Sequence, residues 1–144
     1  MAEAYDPDGV WQPFGAFSQA VAIGNGRLVF LKGQVALDAS GGIVGDGDMA
    51  RQVQQSLENV RDILAALGGR MSDIVSLTQH TTDILAFMQC GSIRQRYFAA
   101  PYPVTTTVEV ASLYDPRLTI EITAIAEIPS DRFDGAGLGR EMHK

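Results

Sequence analysis

The 144-residue chain is 46% hydrophobic and 19% charged, the balance of a globular protein that buries a core, not that of a disordered segment. Its net charge of −6, with 11 basic residues scattered among 17 acidic ones, disfavours nucleic acid and anionic membrane and leaves a small metabolite as the expected ligand. No apolar run reaches the length of a membrane span, no signal-peptide pattern opens the chain, and a lone Cys90 makes no disulfide, so the cytoplasm is the expected location.

Taken in chain order, Ala20 to Leu37 reads as a hairpin. A short apolar run from Ala20 to Ile23 leads through Gly24-Asn25-Gly26 into a β-rich arm from Arg27 to Leu37. Asn-Gly is a strong hairpin signal because a type I′ turn needs positive φ at both central positions. In the second arm Phe30, Lys32 and Gln34 share one face, and Val29, Leu31 and Val35 the other. Asp38-Ala39-Ser40-Gly41-Gly42 is a further turn.

A helix is predicted from Asp48 to Leu67. Met49, Val53, Leu57, Val60, Leu64 and Leu67 recur at spacings of three and four, making one apolar stripe. Asp46 or Asp48 caps its start, and Gly68-Gly69 supplies a left-handed stop. Gly45-Asp46-Gly47-Asp48 lacks the terminal glutamate of a calcium loop and reads as turn plus cap.

Asp73 to Thr81 reads as a strand, and Asp83 caps a second helix running to about Ala99 with Phe87, Cys90, Arg94, Tyr97 and Phe98 along it. Pro101-Tyr102-Pro103 ends that helix, the β-branched stretch Val104–Val110 follows, and Asp115-Pro116-Arg117 turns the chain into Leu118–Ile128. In this last strand Leu118, Ile120, Ile122, Ala124 and Ala126 point inward, and Thr119, Glu121 and Thr123 outward. The order β-β-α-β-α-β-β predicts one α+β domain over 1–144, with its core at about 13–128 and a loose polar tail over 129–144. A mixed sheet with both helices on one face leaves the other face for water or for another subunit.

Pro103-Val104-Thr105-Thr106-Thr107-Val108-Glu109-Val110-Ala111-Ser112-Leu113, followed by Ile120-Glu121-Ile122-Thr123-Ala124-Ile125-Ala126, resembles the C-terminal signature of the Rid (YjgF-like) family. Phe14-Gly15-Ala16-Phe17-Ser18-Gln19-Ala20, Gly33-Gln34-Val35 and Gln55-Ser56-Leu57-Glu58-Asn59-Val60 are similar to its N-terminal motifs and first helix, so the resemblance spans roughly residues 13 to 128. It implies a chorismate-mutase-like α+β domain, a homotrimer whose sheets form a barrel, and ligand clefts between subunits. It also implies hydrolysis of reactive imine and enamine intermediates to 2-oxo acids and ammonia, with no cofactor. The alternative is a trimer that binds such a ligand without catalysis.

Carried over by position, the resemblance makes Glu121 the water-orienting carboxylate and places Phe17, Lys32, Gly33, Thr105 and Thr107 on the substrate. Thr105 stands at the position of the family's carboxylate-binding arginine, Phe17 at its tyrosine and Thr107 at a common cysteine. Lys32 stands at the small residue before the glycine, and the asparagine of helix two falls near Gly91. A threonine in place of arginine removes a charge-assisted contact worth about 1.5–3 kcal/mol, or about ten- to a hundredfold in binding.

The same residues have plainer readings. Glu121 is also an ordinary strand carboxylate, Lys32 a strand-end lysine, and Thr105-Thr106-Thr107 a run with strand propensity. Glu109 reads as structural and Cys90 as a core thiol. His80 stands alone, without the partners a metal site needs.

Overall fold

The computed structural model describes residues 2–136. The apolar stripe at helical spacing becomes α1 (Met49–Ala66), with Met49, Val53, Leu57, Val60 and Leu64 buried. Asp48 is its cap, the side chain accepting from Arg51 N at 3.1 Å. Gly68, at φ +82°, ends it: Gly68 N–H donates to Ala65 O and Gly69 N–H to Leu64 O, a Schellman stop.

Strands β3 (Arg27–Phe30), β4 (Ile74–Thr81), β5 (Val104–Glu109) and β6 (Ile120–Ile128) form one sheet in the order β3-β6-β4-β5. β4 and β5 are parallel and the other pairings antiparallel, so the sheet is mixed as expected. Alternation along β6 buries Ile120, Ile122, Ala124, Ala126 and Ile128 against α1, with Leu77 of β4 in the same core. At about 25 cal/mol per Å² of apolar surface, each of these isoleucine and leucine side chains contributes on the order of 1.5–3 kcal/mol, and each alanine methyl less than about 1 kcal/mol. Glu121, Thr123 and Ile125 take the opposite face.

The predicted hairpin does not form. β2 (Ala20–Ala22) pairs with β1 (Glu3–Tyr5), a strand not anticipated, and β3 pairs with β6. Asn25 has no positive φ, so the type I′ turn is absent. Gly26 serves packing instead: a Cβ there would come within 2.7 Å of Ile128 O and 2.8 Å of the Glu127 side chain, whose carboxylate accepts from Gly26 N.

The predicted second helix is also divided. Asp83 caps α2 (Ile84–Met88), accepting from Ala86 N at 3.1 Å, and α3 (Gly91–Gln95) resumes after a break at Gln89–Cys90. Glycine at the restart lowers the helical preference of the segment by about 1 kcal/mol relative to alanine, in keeping with the break.

The segment after Pro129 is docked over its described part. Arg132 donates to Gly68 O and pairs with Asp73 at 2.6 Å, and Arg27 lies 4.3 Å from the Phe133 ring centroid. The tail expected to be loose is therefore held as far as Phe133, while residues 137–144 lie outside the described residues.

Candidate functional site

The β3–β6 ladder carries an irregularity at the position that matters most. Phe30 pairs with Ile125 and Leu31 N donates to Ala124 O at 3.0 Å, but the next bridge is Gln34 with Ile122. Lys32 and Gly33 together therefore oppose Thr123, two residues against one. Such a bulge re-aims the chain. Here it brings Lys32 and Gly33 to the mouth of a groove of about 680 Å³ that also takes in Val35, Tyr114 and Glu121. A Cβ on Gly33 would lie 2.7 Å from Glu121 Cδ and 2.9 Å from both Glu121 Cγ and Thr123 Oγ1. The carboxylate lies directly across the glycine, and only glycine leaves it room.

Other groups fix this groove. Asn59 Nδ2 of α1 donates to Val35 O at 3.1 Å and Leu37 O at 2.9 Å, and Gln55 Nε2 donates to Asn59 Oδ1. The wall that follows the bulge is thus tied to the long helix. The fully buried Gln52 uses both ends of its amide, donating to Gly45 O and Arg117 O and accepting from Thr119 N and Oγ1, and so holds the turn before β6. Within that turn Arg117 donates to Asp115 and holds its carboxyl down at about 2. Across β6 from Gly33, His80 is in cross-strand register with Glu121, its Nδ1 buried and without a partner among the described residues.

Thr105 and Thr107 are elsewhere. Parallel register pairs Thr105 with Leu77 and Thr107 with Gln79, and Gln79 Nε2 donates to Thr107 Oγ1 at 2.8 Å. That is the helix-covered face, whereas Glu121 and its neighbour His80 are on the other face. Phe17 belongs with the β5 side. Ser18 N–H donates to Pro103 O and Ser18 Oγ to Tyr102 O, beside the start of β5, and Phe17 packs against Trp11 at a tilt and edge-to-face with Phe14. Within one chain the expected site residues therefore fall into two groups, Lys32–Gly33–Glu121 on the β3–β6 side and Phe17–Thr105–Thr107 on the β5 side.

Residues 10–128 match the family model described as Endoribonuclease L-PSP. A RutC family protein of Pyrococcus horikoshii is 34% identical over 126 residues, covering 88% of this chain and 98% of that relative. A human 2-iminobutanoate/2-iminopropanoate deaminase is 33% identical over 112 residues, covering 77% of this chain and 80% of its own. Among solved structures, a Rid-family protein of unknown function from Yersinia pestis superposes with a TM-score of 0.80 at 31% identity, over 88% of this chain and 98% of that one. The chain belongs to the Rid (YjgF-like) family.

The Rid resemblance did not single out Asn59 or Tyr114, and the first was legible only as part of a matching helix. Cys90 is a core thiol as read from the sequence: it is buried, its Sγ lies 3.5 Å from Ala86 O, and burial pushes its pKa up, away from the reactive thiolate. Glu109 is structural, accepting from Ile84 N at the start of α2. A second depression of about 560 Å³ is lined by Arg70, Asp73, Glu127, Asp131 and Arg132, but Arg132 and Asp73 are spent on each other and Glu127 on Gly26. The groove over Gly33, with its half-exposed carboxylate, is the better chemical site.

Proposed function

We propose that this Rid-family chain hydrolyses small 2-imino acids and their enamine tautomers to 2-oxo acids and ammonia, in clefts between the subunits of a homotrimer. The observation that carries the reading is Glu121 laid across Gly33 in an open groove. A carboxylate so fixed holds a water by hydrogen bond and accepts its proton as oxygen attacks the imine carbon. Collapse of the carbinolamine returns a proton to nitrogen and releases ammonia, leaving the 2-oxo acid.

The separation of the candidate residues supports an assembly. Each chain presents Glu121 on the β3–β6 side and Phe17, Thr105 and Thr107 at the opposite edge of the sheet, so a cyclic arrangement joins one chain's first group to its neighbour's second. Exposed apolar side chains, among them Phe30 (70% exposed), Leu28 and Val108, give the uncovered face surface to bury in such contacts. The relatives named as iminobutanoate and iminopropanoate deaminases agree with the substrate class.

Thr105 and Phe17 lack the charged and hydroxyl groups that the resemblance assigns to those positions, which favours the second reading, a trimer that binds such ligands without turning them over. Ammonia release from freshly generated 2-iminobutanoate separates the two. Hydrolysis above the spontaneous rate that falls at least a hundredfold in Glu121→Gln supports catalysis. A protein that binds 2-oxobutanoate but never exceeds the spontaneous rate supports the second reading.

A further inference from the structure

The lining of the groove turns from polar to apolar as the chain leaves the bulge. Lys32 and Gly33 lie beside Glu121, and Val35, Leu37, Leu113 and Tyr114 line the remainder. This apolar wall is built into the fold. Val35 is buried with Ala36 and Leu118 in a small second core, and Leu37 and Leu113 pack against it. Asn59 of α1 holds the wall from behind through the carbonyls of Val35 and Leu37.

Tyr114 stands out on that wall. Its side chain is 69% exposed, and its ring meets no other aromatic ring among the described residues. Single exposed rings are common on protein surfaces, but this one borders a cavity and is carried on an anchored turn. Leu113 before it is packed into the second core. Asp115 after it accepts from Arg117 N at 2.9 Å and from the Arg117 guanidinium, and Gln52 of α1 donates to Arg117 O at 2.8 Å. The groove, about 680 Å³, falls in the size range of sites for drug-sized ligands, and a four-carbon imino acid fills only a small part of it.

We propose that this groove selects 2-imino acids, and the 2-oxo acids they yield, that carry an aromatic side chain. The ligand's ring lies against Tyr114, Leu113 and Leu37, its carboxylate turns toward Lys32, and its imine carbon faces Glu121. This deepens the proposed function and rests on it for the reacting group. A charged ligand side chain would be desolvated against Leu37 and Leu113 without a partner, so the wall rejects it. Aromatic side chains gain over aliphatic ones because a tilted or offset ring pair adds about two- to tenfold in affinity beyond the area it buries.

The test is calorimetric titration of the full-length protein with 2-oxo-3-phenylpropanoate and 2-oxobutanoate, two acids that share the head group. The aromatic acid should bind at least about tenfold more tightly. Because Tyr114 is exposed, Tyr114→Ala should keep Tm and assembly mass; it should weaken the aromatic acid at least about threefold and 2-oxobutanoate by less than about twofold. Tyr114→Phe keeps the ring and should keep the preference. Equal affinities for the two acids, or an equal loss of both in Tyr114→Ala, overturn the proposal and leave the hydrolysis reading intact. A drop in assembly mass on Tyr114→Ala also overturns it, because the ring would then be seated in a neighbouring subunit. A Tyr114-dependent preference without ammonia release from freshly generated 2-imino-3-phenylpropanoate sinks the hydrolysis reading alone, and failure to bind either acid at millimolar concentration sinks both.

Discussion

Gly33→Ala is the sharpest perturbation of the groove. The added Cβ would lie 2.7 Å from Glu121 Cδ, against a carbon–carbon optimum of about 3.5–4.0 Å, so the carboxyl group must retreat by about 1 Å. Gly33 has no positive φ, so alanine adds no backbone strain and gains about 0.4–1 kcal/mol through the unfolded chain. Overpacking costs about 1–3 kcal/mol, at the low end here because the far end of a flexible glutamate can yield. The net loss is about 0.5 kcal/mol or less, a fall in Tm of about 2 °C at most. Turnover suffers more, since a displacement of about 1 Å in a catalytic group costs on the order of a hundredfold. Ammonia release and calorimetric Tm, measured together, should therefore diverge. In a Glu121→Ala background Gly33→Ala should cost less Tm, because of the close contacts only Thr123 Oγ1, at 2.9 Å, remains. Undiminished turnover in Gly33→Ala would refute the placement of Glu121 as the reacting carboxylate.

Lys32 is exposed at the mouth of the same groove, so Lys32→Met should weaken 2-oxo acid binding several-fold without changing Tm, and identical affinities would leave it a solvated strand-end residue. Asn59→Ala strips hydrogen bonds from the carbonyls of Val35 and Leu37 and should cost about 1–3 kcal/mol in urea unfolding, with a rise in KM as the groove wall loosens. Burial and the Glu58 carboxylate push Tyr97 up to about 12. The folded state holds that proton more tightly than the unfolded chain, so this contribution is intact below about pH 10 and disappears as pH rises through about 12. Tyr97→Phe should remove the latest-titrating phenol from the absorbance curve and flatten stability across that window; an unchanged curve would contradict the assignment.

The parts legible in the sequence are those fixed by near neighbours. The α1 stripe, its Asp48 cap and its Gly68 stop all lie within one helix, and the alternation of β6 is a property of that strand alone. The hairpin reading failed because Asn-Gly reports only local preference, while the partner of β3 is β6, and Gly26 meets Glu127 across 101 residues. The bulge at Lys32–Gly33 was invisible for the same reason: it exists only relative to β6. Strand parity showed that Thr105, Thr107 and Glu109 share a face, and that Glu121 shares one with Thr123. Nothing in the sequence related those two faces, since that needs the registers through β4.

In the proposed trimer each cleft is shared between neighbouring chains, and subunit mixing reads that sharing out. Glu121→Gln disables the β3–β6 half, and Thr105→Glu disables the β5 half by setting a carboxylate against the ligand's own. Neither protein alone should release ammonia above background. Unfolded together in equal amounts, refolded and verified as mixed trimers by native mass spectrometry, they should regain about a quarter of full activity, because about one cleft in four draws both intact halves from different chains. Mixed trimers that stay inactive would show that both halves must come from one chain, and would contradict the account.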